Sequence, residues 1–238
     1  MSVTRLIVET AKDYRQRSTS LDALIGKAEQ ARSGMNIFGM ALAREIGGEF
    51  NLAANKDYKR AKQKVDNKYN GDASRLTDLV RGRIFVDDVE SIIRAREILN
   101  PKADNVVFKG HRSFLADWAT VCANGNGYFV QDFDDKHAQP TEFGWRDISV
   151  RVRVPLAKTL GHTGEIQILH RDMAEADKLS HPIYECQRRM LEVFQASGRE
   201  MTQEDAILLE DMSARRLAIH NEAAEKAGLT VLEQPKLI

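Results

Sequence analysis

Ile148-Ser-Val-Arg-Val-Arg-Val154 alternates apolar and polar residues with a period of two, and Glu165-Ile-Gln-Ile-Leu169 alternates again after the turn-type residues Gly161-His-Thr-Gly164. This is the pattern of a β-hairpin with one wet face. Period two sends Ile148, Val150, Val152 and Val154 to an apolar face and Trp145, Asp147, Ser149, Arg151 and Arg153 to the other. On the return strand Ile166 and Ile168 join the apolar face, which turns Glu165, Gln167 and Leu169 towards the polar one. A carboxylate, an amide, arginines and an indole on one sheet surface suit a metal-bound phosphate beside a stacked base. The same residues also suit a cross-strand Glu165–Arg151 ion pair, with Trp145 merely covering the sheet.

Working outward, Tyr128-Phe-Val-Gln-Asp132 reads as a strand after the turn Asn124-Gly-Asn-Gly127, and Asn105-Val-Val-Phe108 as another. Asp87 or Asp88 can cap a helix carrying Val89, Ile92, Ile93, Ile98 and Leu99, which stops before Pro101. Arg83 to Asp87 is a strand. Ser74 can cap a short helix with Leu76, Leu79 and Val80, and Lys56 to Tyr69 is a charged helix closed by Asn70-Gly71-Asp72. From Val3 to Ile46 the spacing of Leu6, Ile7, Leu21, Leu24, Ile25, Ile37, Met40, Leu42 and Ile46 predicts amphipathic helices, broken and capped near Ser18-Thr-Ser20. Helix returns over 172–195 and 202–227, with Gly198 and Gly228 as stops. The expected fold class is α+β, a small mixed sheet flanked by N- and C-terminal helices. The expected divisions are a helical extension 1–49, a core 50–195 and a helical extension 196–238, packed as one compact domain.

With 238 residues, 42% hydrophobic and 29% charged, and a mean hydropathy of −0.43, the chain can bury a core and is not disordered throughout. Lys plus Arg and Asp plus Glu number 35 each, so no global field draws it to nucleic acid or membrane, and any affinity for phosphate is local. No stretch nears the ~20 apolar residues of a membrane span. Charge interrupts Met1-Ser-Val-Thr-Arg-Leu-Ile-Val-Glu too early for a signal peptide, which makes the cytoplasm the default location. Cys122 and Cys186 lie too far apart in sequence for a C-x-x-C site and are expected as buried thiols. The histidines at 111, 137, 162, 170, 181 and 220 lack metal-ligand spacing and read as surface or core residues, with His181 the candidate for a substrate contact. Lys109, His111 and Arg112 form a basic cluster that reads as a solvated loop.

Three features could carry chemistry. Lys56, Arg60 and Lys64 are spaced i, i+4, i+8, so on a helix they form a row of cations able to hold a polyphosphate. The row equally fits a solvated surface partly neutralised by Asp57 and Asp66. Asp78 precedes a strand and is followed by Arg81 and Arg83. With Glu165 it supplies two carboxylates from separate elements, which is what Mg²⁺-dependent phosphoryl-type transfer requires.

In this order the segments resemble a known family. Ser74-Arg-Leu-Thr-Asp78-Leu-Val-Arg-Gly-Arg83-Ile is similar to the Asp-Leu-x-x-x-Arg-Ile motif of RelA/SpoT-type alarmone synthetases, Gly144-Trp-Arg-Asp-Ile148 to their Gly-Tyr-Arg-Ser-Leu-His segment, and Gly164-Glu-Ile-Gln-Ile168 to their Glu-Ile-Gln-Ile-Arg-Thr strand. The basic helix stands where the family keeps its ATP-binding cations, and His181-Pro-Ile-Tyr184 where a His/Tyr pair often follows. The resemblance covers residues 50 to 190. It implies a nucleotidyltransferase-like fold and transfer of pyrophosphate from ATP to a ribose hydroxyl. Asp78 and Glu165 would be catalytic and bind Mg²⁺. Lys56, Arg60, Lys64 and Arg83 would hold ATP, and Trp145, Gln167, Arg151 and His181 would meet the acceptor. Arg81, Ser149 and Leu169-His170 depart from the family's residues at their positions, mostly on the acceptor side. The resemblance therefore implies a stand-alone, divergent member, with an adenosine nucleotide or the tRNA 3′ end as alternative acceptor, a toxic activity with an antitoxin partner, or a catalytically inactive nucleotide-binding protein as further readings, and self-association left open.

Overall fold

The computed structural model describes residues 15–99, 129–156 and 159–232. Leu6 and Ile7, the strand expected at 105–108, the turn at 124–127, Cys122 and the 109–112 basic cluster lie outside the described residues. Within them the order is α1 (Leu21–Ile46), β1 (Glu49–Leu52), α2 (Tyr58–Tyr69), a 3-10 turn (Ala73–Arg75), β2 (Arg81–Val86), α3 (Val89–Leu99), β3 (Phe129–Asp135), β4 (Ile148–Leu156), β5 (Thr159–His170), α4 (Arg171–Ser197), α5 (Gln203–Lys226) and a final 3-10 turn (Leu229–Leu232). Five strands form one sheet in the order β1-β2-β5-β4-β3, the α+β arrangement expected. The described residues group into two compact units. The first holds 15–86, 90–99, 129–134 and 149–168 less 157 and 158, and the second 87–89, 135–148 and 169–232.

In the first unit, Ser20 caps α1 by accepting a hydrogen bond from the Ala23 N–H, and Gly47 ends it with φ of 78°. Leu24, Ala28, Ala31, Met35, Phe38, Leu42 and Ile46 recur at helical spacing and are all buried. This stripe lies against β1 and β2, where each large side chain contributes about 2 kcal/mol by leaving water. Strands β1 and β2 pair antiparallel with Phe50 opposite Ile84 and Asn51 opposite Arg83. The Phe50 ring fills the space that a Cβ at Gly39 or Gly82 would occupy, so two glycines admit one aromatic side chain.

Strands β4 and β5 are sheet neighbours separated by two residues, with Ile148, Val150, Val152, Val154, Ile166 and Ile168 completely buried. Three details of the hairpin differ from expectation, the first being that Asp147 and Ser149, read onto the wet face, are buried. Gly161-His-Thr-Gly164 is strand, not turn, with His162 and Thr163 buried. Its glycines serve close packing: a Cβ on Gly164 would run into Met35 Cε and stand 2.8 Å from the Val80 carbonyl oxygen, and one on Gly161 would stand 2.6 Å from that of Val154. Leu169 is buried despite its polar-face parity, because the chain turns directly into α4, capped by the His170 side chain.

Upstream, the short helix expected after Ser74 is only the 3-10 turn. Asp72 caps it through the Ser74 N–H, leaving Leu76, Leu79 and Val80 buried in irregular chain. In the second unit α4 and α5 pack on each other, and Thr202 and Asp205 form a capping box at the start of α5. Cys186 is exposed on α4 rather than buried: it lies on the solvent side of an amphipathic helix whose buried side carries Met173, Ala176, Ser180 and Gln187.

Candidate active site

Asp78 sits in the irregular segment between the 3-10 turn and β2 and is 8% exposed. Its Oδ2 accepts hydrogen bonds from the Lys56 and Lys64 ammoniums, the latter at 3.0 Å, while its Oδ1 is buried without a hydrogen-bond partner. Burial pushes the carboxyl pKa up, but the two cations outweigh it and hold Asp78 below the usual carboxylate range. Burial also pulls Lys56 down, reinforced by Lys64 and Arg81 and only partly opposed by Asp78. Lys64 is likewise penalised by burial, yet Asp78 and Tyr69 carry it above the usual lysine value.

The lysines do not reach Asp78 as one helical row. Asp57 caps α2, accepting from the Arg60 N–H, so Lys56 lies ahead of the helix. The 53–56 segment is held from two sides. Its backbone pairs with β2 and the residues before it, Ala53 N–H donating to the Arg81 carbonyl at 3.0 Å and Lys56 N–H to that of Leu79 at 3.1 Å. From α1, Arg32 donates to the Ala53 carbonyl at 3.0 Å and to Asn55 Oδ1 at 2.9 Å, and Asn55 donates to Glu29 at 2.7 Å. Arg60, the third residue of α2 and exposed, makes no side-chain hydrogen bond or ion pair among the described residues. Of the two acids expected to neutralise the row, Asp57 is spent on the cap and Asp66 pairs with Lys62 at 2.8 Å.

Glu165 is half-buried on β5, and its N–H donates to the Val80 carbonyl at 3.1 Å, two residues beyond Asp78. Gln16 strengthens the same junction. Its side-chain amide donates to the carbonyls of Leu76 at 2.8 Å and Thr163 at 2.7 Å, and accepts from the Thr163 N–H at 3.0 Å. It therefore ties together the residues two positions before each carboxylate. One strand along, Arg83 Nε donates to Gln167 Oε1 at 3.1 Å, and Arg151 forms an ion pair with Asp132 of β3. Gln16, Arg32 and Asn55 carried no signal in the sequence, because a long-range bond from a polar side chain to backbone has no spacing to read.

The remaining two candidates belong to the second unit. Trp145, half-buried between β3 and β4, donates its backbone N–H to Thr141 Oγ1 at 3.1 Å and meets His220 in a T-shaped ring contact with centroids 5.5 Å apart. His181 is exposed on α4, 3.8 Å from Glu185. His137, His162, His170 and His220 are buried. Among the described residues no group of three or more His, Cys, Asp and Glu could hold a metal. The orphaned Oδ1 of Asp78 is nonetheless a buried carboxylate oxygen without a hydrogen-bond partner, a fit for an oxygen ligand of Mg²⁺. No helix among the described residues is long and apolar enough to cross a membrane.

Solved structures with a similar fold include small alarmone synthetase 2 of Bacillus subtilis (TM-score 0.52, 13% identity, covering 88% of this chain and 97% of that one). Another is small alarmone synthetase 1 of the same organism bound to its product pppGpp (TM-score 0.51, 16% identity, 89% and 98% covered). The chain has the small alarmone synthetase fold. A curated relative, the (p)ppApp synthetase toxin Tas1 of Pseudomonas aeruginosa, is 32% identical over 90 residues, 38% of this chain. The match spans a fifth of that relative's length. No family model matches the chain. Within this synthetase fold the Asp78, Lys56 and Lys64 cluster lies in the first unit, where the motif resemblance is carried by residues 74–84 and 164–168.

Proposed function

We propose that the chain is an ATP-dependent pyrophosphokinase that moves the β,γ-pyrophosphate of ATP to a ribose hydroxyl of a nucleotide. The observation that carries this reading is Asp78, a buried carboxylate with one oxygen held by two lysines and the other left without a partner. A triphosphate offers those lysines a more highly charged partner than Asp78 does. Lys56 and Lys64 then turn to the phosphates, with Arg60 and Arg83 as further contacts to ATP, and the carboxylate is released. Asp78 and Glu165 would hold Mg²⁺, which supplies neutralisation of the charge that develops on the phosphates. The acceptor oxygen forms its bond to the β-phosphorus as the bond from that phosphorus to the α,β-bridging oxygen breaks, and AMP leaves. Glu165 or a water takes the hydroxyl proton. Trp145 would stack the acceptor base, with Gln167, Arg151 and His181 as its polar contacts.

The likeness to a (p)ppApp synthetase toxin favours an adenosine nucleotide as acceptor and growth arrest on expression, with a neutralising protein as partner. Labelled ATP incubated with GDP, GTP, ADP, AMP or tRNA tests both readings. Transfer should occur with at least one acceptor, adenosine nucleotides foremost, and be lost in Asp78→Asn and Glu165→Gln. Nucleotide binding without turnover for any acceptor overturns the enzymatic reading and leaves a binding protein.

A further inference from the structure

In the second unit His220 of α5 is buried with both ring nitrogens engaged. Its Nδ1 lies 2.6 Å from the Phe143 carbonyl oxygen, which can only accept, so Nδ1 carries the proton. In the neutral ring Nε2 is then an acceptor, and the Ser180 hydroxyl of α4, 2.8 Å away, donates to it in preference to the Asp177 carbonyl at 3.4 Å. Burial holds His220 below the usual histidine value, in keeping with a neutral ring. This chain of bonds ends at the loop bearing Trp145. Phe143 is fixed through its carbonyl by His220 and through its ring by the Arg216 guanidinium, 4.0 Å from the ring centroid. Gly144 bends there with φ of 73°, so close to α5 that a Cβ would stand 2.8 Å from Asn221 Oδ1. Trp145 then meets His220 itself in the T-shaped ring contact.

We propose that Ser180, His220 and Arg216 are positioning residues, through which the α4–α5 pair sets the orientation of the Trp145 ring for the acceptor base. The proposal rests on the pyrophosphokinase reading and gives the C-terminal helices a part in acceptor use rather than in ATP binding. Ser180 is the informative site, since its hydroxyl bonds to His220, and alanine suits a helix interior.

The test uses the full chain labelled with 5-fluorotryptophan, whose two ¹⁹F resonances, from Trp118 and Trp145, are assigned with Trp145→Phe. Ser180→Ala should broaden or split the Trp145 resonance, raise the acceptor KM about fivefold and leave the ATP KM within about twofold, the scale of one lost buried hydrogen bond. Ser180→Thr, which keeps the hydroxyl, should restore both readouts. His220→Asn, which keeps an N–H for the Phe143 carbonyl but loses the ring, should disturb the resonance as well. An unchanged Trp145 resonance and acceptor KM in both Ser180→Ala and His220→Asn, or equal rises in the two KM values, overturns the proposal. Absence of turnover by the wild type overturns the pyrophosphokinase reading alone, and the resonance then decides the positioning by itself.

Discussion

Asp78 is costly in isolation and tolerable only because of its partners. A carboxylate so little exposed would be expelled or protonated without Lys56 and Lys64, and the lysines would repel each other without it. Replacing it by Asn should lower stability by about 2 kcal/mol in urea denaturation, less than for a fully dry pair because Lys64 can turn to water. The native pKa of Asp78 is depressed, so its contribution is complete above the unfolded value near pH 4 and is lost as pH falls through the native one. His162 acts earlier on the acid side. Burial, with Lys27 nearby, lowers its pKa to about 4, against about 6.5 in the unfolded chain. The unfolded state therefore binds the extra proton between these values, and stability falls as pH drops from 6.5 towards 4. Unfolding free energies from urea denaturation at pH 7.5 and pH 5 should differ by about 2 kcal/mol from this group alone, and His162→Gln should remove that part of the difference.

At the scale of elements, the alternation of β4 and β5 was plain in the sequence because burial on one face imposes a period of two, and every apolar residue read onto that face from 148 to 168 is buried. The Gly161–Gly164 run misled because glycine marks close approach as readily as a turn, and only the packed neighbours distinguish the two. Lys56 misled in a similar way. Its spacing matched a helical row, but the cap at Asp57 takes it off the helix while β2 and α1 deliver it to the same carboxylate. Gly164→Ala measures how much the close approach matters. The added methyl meets the Val80 carbonyl, which is backbone and bonded to Glu165, as well as the more yielding Met35. The variant should lose about 2–3 kcal/mol in urea denaturation, the range of an overpacked core. Its transfer rate should fall as well, because the strain lands on the junction between the two carboxylates. A loss of stability at full activity would separate this junction from the chemistry.

Over the whole molecule, 35 positive and 35 negative residues cancel, so what the chain binds is decided by where charges are held rather than by their sum. The first unit places two lysines on one buried carboxylate and an arginine on β2 within reach of an amide on β5. In the second unit many charges are spent locally, as in Arg188 between Glu185 and Glu192 or Lys226 with Asp172. Composition revealed the cancellation but not this distribution, which depends on long-range pairing. A protein of this kind has no field to steer a long polyanion, yet can grip the few phosphates of a nucleotide at short range. The ATP KM should therefore rise only severalfold between 50 and 200 mM salt, because a mononucleotide has no condensed counterion atmosphere to release and its contacts are short-range, in contrast to the thousandfold or greater losses of proteins that neutralise a nucleic-acid backbone. Excess duplex RNA at 150 mM salt should leave transfer to a mononucleotide unchanged, whereas tRNA, if its 3′ end is the acceptor, should compete with that mononucleotide and become labelled itself. Inhibition by duplex and tRNA alike would mean that the binding surface is an extended basic one, and that a small nucleotide is not what the charges of this fold are arranged to hold.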